Sequence, residues 1–351
     1  MMTRRYISGN SRGTILYLII FFLLPISYAF AQDMHFSQFF ATPLHINPAN
    51  AGNFKGTYRA GLNYRNQWSS FTVPWRTFDV YGDLKINGGY KSRAATFGAG
   101  AIILRDRAGD GNLSTTKAML QGAVHIGLGG DEEHTLSAGV GFGIIQKNID
   151  WDKLYFNNQW DDSKFNTNLP SYENYAFSNI TYPDLNLGIL YQNTGLERIG
   201  YSLNLALHHV LNPRESFYKE FNDNKLGWRP LATLTVSYQA TDKLFFIPGA
   251  SFQTQKKAAE LQGGMMLGYD ISSMASNRLI LYTGIYNRTK DAWYPVLGME
   301  YGPWRGFINY DINYSELQQA TNSRGALELS LVYVGGVPRF KSLIDIPCPR
   351  F

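Results

Sequence analysis

The sequence predicts an all-β fold: a transmembrane antiparallel β-barrel of about fourteen strands with an N-terminal plug segment. Three observations predict it. Apolar and polar residues alternate along most of the chain, the period at which a strand places successive side chains on opposite faces. The alternating segments run to about 9–15 residues, longer than the usual 5–6 of soluble sheets and near the roughly 9–11 that a tilted strand needs to cross a bilayer. Short turns alternate with long polar connections, and barrels keep their short turns on one side of the membrane.

The alternation can be read directly. Tyr58, Ala60, Leu62 and Tyr64 interleave with Arg59, Gly61, Asn63 and Arg65. Tyr201, Leu203, Leu205 and Leu207 interleave with Ser202, Asn204, Ala206 and His208, and Ile308, Tyr310, Ile312 and Tyr314 with Asn309, Asp311 and Asn313. Leu327, Leu329, Leu331 and Tyr333 follow the same rule, while 98–104, GAGAIIL, keeps it least. The apolar faces often end in Tyr or Trp, as interfacial girdles do. About fourteen such segments lie between Gly56 and Val334, an even number, as in bacterial barrels. Short turns are expected at Gly129–Glu132, Asn193–Glu197, Ala240–Lys243, Ile271–Ser276 and Pro303-Trp304, and long connections at 149–180 and 212–226. The long ones share one parity, which places both chain ends in the periplasm. Lipid enforces closure, because every backbone N–H and C=O must find a partner within the sheet. A soluble sandwich would alternate too, but strand length, aromatic ends and loop asymmetry favour the membrane.

The N-terminus reads as an export signal. Arg4 and Arg5 precede the apolar run TILYLIIFFLLPI, and Ala29-Phe30-Ala31 is a small-residue cleavage site. Residues 1–31 are then the signal peptide, 32–55 an N-terminal periplasmic or plug segment, 56–335 the barrel and 336–351 a periplasmic tail. The net charge of +5 is spread along the chain; no dense Lys/Arg block points to nucleic acid. Cys348 is the one cysteine, which excludes an intrachain disulfide framework.

Alternation also predicts what faces the bore. Arg59, Arg65, Asp79, Asp83, Lys117, Gln121, His125, Glu300, Asp311 and Glu328 fall on the inward parity, and their mixed signs predict an ion-pair and hydrogen-bond network. The same charges facing lipid near mid-membrane would cost roughly 2–4 kcal/mol each. Enzymatic chemistry finds no support. His208 and Ser202 share one strand about 20 Å apart, beyond hydrogen-bond reach, and GxSxG is absent. His35, His45, His125 and His134 have no metal-ligand spacing, and no phosphate loop or cofactor motif is present. Arg288 to Lys290 reads as a short basic loop segment, solvated or touching lipopolysaccharide.

The stretch QDMHFSQFFATPLHINPANAG, residues 32–52, has neither period. Phe36, Phe39, Phe40, Leu44 and Ile46 are too much apolar surface to leave in water, and Pro43 and Pro48 forbid a central strand. It is expected to tuck into the periplasmic mouth of the barrel. Gln32-Asp33, Phe36-Ser37-Gln38-Phe39, Pro43-Leu44, Asn47-Pro48-Ala49 and Gly52, with Cys348-Pro349-Arg350-Phe351 closing the chain, resemble the PorP/SprF family of type IX secretion outer-membrane proteins. The resemblance covers essentially the whole mature chain; Met34-His35 stands where Pro-His is commoner. Asn-Pro-Ala near the start is also similar to FadL-type transporter barrels, with their fourteen strands and N-terminal plug.

The PorP/SprF resemblance implies a role in export. Members are paired with a large secreted adhesin, including those of gliding motility, and some with periplasmic ring or motor components. It implies that extracellular loops hold the C-terminal domain of the cargo. Trp151, Tyr155, Phe156, Trp160, Tyr172, Tyr175, Phe177, Phe217, Tyr218 and Phe221 are the aromatic candidates. Outer-membrane lipid and lipopolysaccharide are further expected partners. The FadL likeness supplies the alternative, a channel for small hydrophobic or polar solutes. The tail after Val334 is expected to fold back as a seal or meet a periplasmic partner, and the state of Cys348 is open.

Overall fold

Alternation over ten or more residues leaves each segment one solution, an extended strand with one apolar and one polar face. The computed structural model describes residues 33–336, apart from 70–72, 88–94, 129–132, 167, 174, 197, 219–223, 273–277 and 317. The export signal, the turn at Gly129–Glu132, Phe221 and Cys348-Pro349-Arg350-Phe351 lie outside the described residues. The strands are β1 (Tyr58–Gln67), β2 (Trp75–Asn87), β3 (Ala95–Ala108), β4 (Leu113–Leu128), β5 (His134–Asn148), β6 (Asn179–Leu196) and β7 (Ile199–His208). There follow β8 (Arg229–Gln239), β9 (Leu244–Gln255), β10 (Ala258–Asp270), β11 (Leu279–Arg288), β12 (Ala292–Tyr301), β13 (Trp304–Asn313) and β14 (Arg324–Gly335). Each pairs antiparallel with its neighbours, and β14 closes on β1 from Tyr58↔Gly335 to Gln67↔Ala326. The result is a closed barrel of fourteen strands without an edge. None of the described helices is long and apolar enough to cross a membrane.

The two long connections, 149–178 and 209–228, emerge at one end, the loop end. Gly335 lies at the other, the turn end. Two turns differ from expectation. β6 continues to Leu196, so that turn is at 197–198, and Trp304 belongs to β13, paired with Tyr301. β6 is also longer than expected, at 18 residues. It pairs with β5 back to Asn179 but with β7 only from Leu187 onward, leaving its first residues without a β7 partner. Leu185 accepts from Val210 N–H at 2.9 Å on that side. Pro183, two residues earlier on the same edge, therefore sacrifices no ladder bond.

Leu203, Ile312 and Leu329 point outward and are exposed, while Asp79, Asp184 and Glu328 on alternate positions are fully buried. At the turn end the outward face carries an aromatic girdle. Tyr58 and Trp304 flank Tyr333 at 5.9 and 4.7 Å between ring centroids, and Tyr238, Tyr269 and Tyr301 continue it. The weak alternation of GAGAIIL has a physical cause. The inward Ile102 and Leu104 of β3 pack against Phe36 and Leu44 in an apolar cluster, so this inner face meets protein rather than water.

The partner in that cluster is the N-terminal segment, which lies inside the barrel. It contains a 3-10 turn at Phe39–Ala41, helix α1 (Pro43–Ile46) and a second 3-10 turn at Pro48–Asn50. Its course corrects the expectation of a seat at the turn-end mouth. Asp33 N–H donates to Gln255 at the loop end, and Asn53 donates to Gln192 toward the turn end, both at 2.9 Å. The segment runs the length of the bore, and Asp33 and Gly335 stand at opposite ends. The reason is matching on two walls. Phe39 and Phe40 join Tyr286, Tyr294 and Phe307 of β11–β13, and Leu44 and Ala51 join Tyr81 and Ile102 of β2 and β3. Gly98, Gly139 and Gly188 allow the close approach: a Cβ on Gly188 would stand 1.8 Å from Asn47 Oδ1, and one on Gly98 1.8 Å from the Ala51 carbonyl oxygen.

Leu120 on β4 is 72% exposed on the outward face. Leu120→Arg is expected to destabilise the lipid-folded barrel by roughly 2–4 kcal/mol relative to Leu120→Ala, read from urea titrations in vesicles. Equal midpoints would mean that this face does not meet hydrocarbon.

Candidate functional site: the occupied bore and the loops above it

Putting the apolar face of fourteen strands outward sends their charges inward, where each needs a partner. In the loop-end half, β1, β11, β13 and β14 bring together Arg65, Arg288, Asp311 and Glu328, all at most 3% exposed. Arg65 donates to Glu328 at 2.8 Å and to Asp311 at 3.0 Å, and Arg288 donates to Asp311 at 2.7 Å. The N-terminal segment completes this quartet. Ser37 and Gln38 N–H donate to the two Glu328 oxygens, each at 2.9 Å, and Ser37 Oγ lies 2.6 Å from Arg65 Nη1. Gln38 Nε2 adds Asn309 at 2.7 Å. Buried ion pairs are sustained only when their remaining donors and acceptors are filled, and here the Phe-Ser-Gln motif fills them.

The turn-end half repeats the device with the second motif. Arg59 forks onto Asp83 at 2.9 and 2.8 Å, and Gly52 N–H donates to the same carboxylate at 2.8 Å. Arg59 also donates to the Asn50 carbonyl at 3.1 Å. His125 bridges Ser137 and the Ala51 carbonyl, and Gln121 donates to the Leu44 carbonyl at 2.8 Å. Asp79 faces His45 at 2.6 Å and Asn63 at 2.8 Å. Asn47 caps its own turn through Ala49 N–H at 2.8 Å and donates to the Ile189 carbonyl at 2.8 Å. Lys117 lies 3.7 Å from Asp184, and Glu300 pairs with Arg305 at 2.7 Å near the turn end.

Sequence reasoning missed several members. Arg288, expected in a basic loop, ends β11 and is 2% exposed inside the bore. Its parity with Tyr286 and Tyr282 carried the signal, but the adjoining Thr289-Lys290 obscured it. Asp184 and His209 form a third cluster with Asp33 at the loop end. His209 Nδ1 is 2.9 Å from Asp184, and its Nε2 meets Asp33. Lys117, Arg229 and His208 are the other titratable groups around it. Burial alone would lower the His209 pKa, but Asp33 and Asp184 outweigh it and raise it above the ordinary imidazole value. Burial would raise the Asp33 carboxyl, yet His209, Arg229 and Lys117 hold it well below the ordinary carboxylate range.

Above the bore, Trp151 stacks on Tyr175 at 4.3 Å, and Phe217 and Tyr218 meet Trp151 edge-on. A bridge between Tyr175 and Tyr218 ties the two long connections together. Trp160 and Tyr155 pack on Phe165 at 5.1 and 5.4 Å. The aromatic candidates thus divide: Trp151, Tyr175 and Tyr218 form the joint, while Tyr155, Trp160, Phe177 and the 80% exposed Tyr172 face outward. Two cavities flank the segment, about 390 Å³ toward the turn end and about 680 Å³ toward the loop end. Among the described residues no group of three or more His, Cys, Asp or Glu side chains is placed to hold a metal ion.

Arg65→Met leaves Asp311 and Glu328 buried with one cation fewer. It is expected to cost roughly 3–5 kcal/mol in a urea titration and to expose residues 33–40 to protease. A second expectation concerns pH. A raised imidazole pKa gives stability that is complete below the unfolded value and is lost as pH rises through the folded one; a lowered carboxyl pKa gives stability lost only as pH falls through its folded value. The Asp33–His209 contact is therefore full between the two and weakens on the alkaline side. Amide exchange at Met34–Phe36, corrected for intrinsic rate, should rise between about pH 6 and about pH 9, and His209→Gln should abolish that rise.

Solved structures of similar fold include a Pseudomonas aeruginosa FadL homologue, 10% identical with a TM-score of 0.47, covering 83% of this chain and 93% of that one. The Pseudomonas putida toluene transporter TodX has the same identity and score, covering 83% and 92%. No curated protein sequence matches the chain. The family model described as type IX secretion system membrane protein PorP/SprF matches residues 29–333. With nearly every strand and both lumenal motifs inside that match, the chain belongs to the PorP/SprF family of type IX secretion outer-membrane barrels.

Proposed function

We propose that this barrel holds a secreted surface adhesin at its loop end, by the cargo's C-terminal domain, and that residues 33–57 act as a plug that keeps the bore closed to it. The loop end then faces outward and the turn end the periplasm. Other type IX components are partners by family, with ring or motor proteins reached from the periplasmic side. The observation that carries the reading is the aromatic surface above a filled bore: Tyr155, Trp160 and Tyr172 are exposed on a connection braced by the Trp151–Tyr175 stack. Rigid exposed aromatics contribute large contact area at small entropic cost, as binding hot spots do. The filled bore favours retention or hand-over at the surface over passage through the barrel. The cavities on either side of the segment are what favours the second reading, a solute channel that opens when the segment moves.

One pair of variants separates the two. Tyr155→Ala/Trp160→Ala/Tyr172→Ala is expected to reduce co-purified cargo at least about tenfold while the barrel stays folded by gel mobility. Deletion of 33–52 should raise single-channel conductance in a planar bilayer. Undiminished cargo in the loop variant would remove the docking surface from these residues. Unchanged conductance in the deletion would remove the plug.

A further inference from the structure

We infer that the outer surface of β2–β5, at the loop end, binds the phosphorylated sugar headgroup of a membrane glycolipid. The leaflet assignment rests on the orientation proposed above; the site itself is independent of any secretory role. The outward positions of these strands are apolar up to Phe78, Ile103, Leu120 and Ile144, all exposed. One step further toward the loop end the character changes. Arg76 lies directly opposite Arg107 across the β2–β3 pair, and Arg105, two residues before Arg107, stands opposite Phe78. All three are exposed. Their next neighbours are uncharged: Arg105 faces Thr116, and Arg107 faces Ser114.

Like charges directly across a strand pair are destabilising, and no carboxylate on the page relieves them. Arg107 Nε donates to Asn112 Oδ1 at 2.8 Å. Among the described residues neither Arg76 nor Arg105 has an ion-pair partner. Three guanidinium groups at the upper border of a lipid-facing belt are a complement for a phosphate held at headgroup depth. Immediately above them is a cavity of about 450 Å³, lined by Arg105, Arg107, Asn112, Asn148, Trp151 and Tyr175. Amide and aromatic groups are what a sugar ring needs, hydrogen bonds at its edge and a flat apolar surface on its face. Asp150 and Asp152 also line the cavity, and Asp150 is paired with Lys153 at 2.7 Å. Carboxylates there accept from sugar hydroxyls and repel a second anion, so the phosphate is directed to the arginines and the sugar above them. Apolar belt, cationic border and polar cavity succeed one another in the order of acyl chain, phosphate and sugar.

The test uses the full barrel in detergent micelles and counts bound lipid by native mass spectrometry. Three probes are titrated: lipid A, which is an acylated, bis-phosphorylated glucosamine disaccharide; the same lipid with its phosphates removed; and soluble glucosamine 1-phosphate. The wild-type protein is expected to retain lipid A at least about tenfold more tightly than the dephosphorylated form. Arg76→Gln/Arg105→Gln/Arg107→Gln should erase that preference, and Arg105→Gln alone should reduce it, with the folded barrel verified by heat-dependent gel mobility. Equal retention of the two lipids by the wild-type protein, or an unchanged preference in the triple variant, overturns the site. Displacement of lipid A by equimolar glucosamine 1-phosphate overturns the glycolipid assignment in favour of a soluble phosphosugar.

Discussion

Hydrocarbon offers no partner for a backbone amide, and that constraint underlies the rest of this molecule. It demands a sheet without edges, so fourteen strands close on themselves. It demands an apolar exterior, so alternate residues on every strand are turned inward whatever their charge. An interior with Arg59, Arg65, Arg288, Asp79, Asp83, Asp184, Asp311 and Glu328 all nearly inaccessible to solvent is the consequence. Such an interior is costly unless every donor and acceptor is filled.

The N-terminal segment is where that cost is met. Its backbone, more than its side chains, satisfies the wall: the amides of Ser37, Gln38 and Gly52 go to carboxylates, and the carbonyls of Leu44, Asn50 and Ala51 go to a Gln, an Arg and a His. Its apolar side chains bind the other surfaces, Phe39 and Phe40 on one wall and Leu44 on the opposite one. A motif with two prolines and a self-capped Asn47 is suited to this. Proline removes N–H groups that would have no partner, and the tight turns present carbonyls outward to the wall. The same logic explains the glycines on the inner face, which let backbone meet backbone.

Much of this was legible before any coordinates. The two-residue rhythm identified the lipid-facing Leu203, Ile312 and Leu329 and put Arg65, Asp311 and Glu328 on the inner parity, because strand geometry converts position into face without further information. The rhythm weakened at GAGAIIL for a reason it could not contain: Ile102 and Leu104 face inward onto Phe36 and Leu44, residues more than fifty positions away in the sequence. Arg288 was misread because a strand terminus and a loop share the same composition. The third charge cluster was not visible at all, since Asp33, Asp184 and His209 come from three separate parts of the chain and carry no common spacing.

What the sequence determined alone was therefore everything that follows from local periodicity and motif: strands, their number, the face of each side chain, and the family. What only the tertiary structure decided was the course of the N-terminal segment through the whole bore, the pairing of specific charges, and the joining of two loops by Trp151, Tyr175 and Tyr218. Periodicity is a property of neighbours along the chain, and hydrogen-bond satisfaction in a closed interior is a property of groups brought together across it. The first can be read from the order of residues, and the second exists only once the barrel has closed.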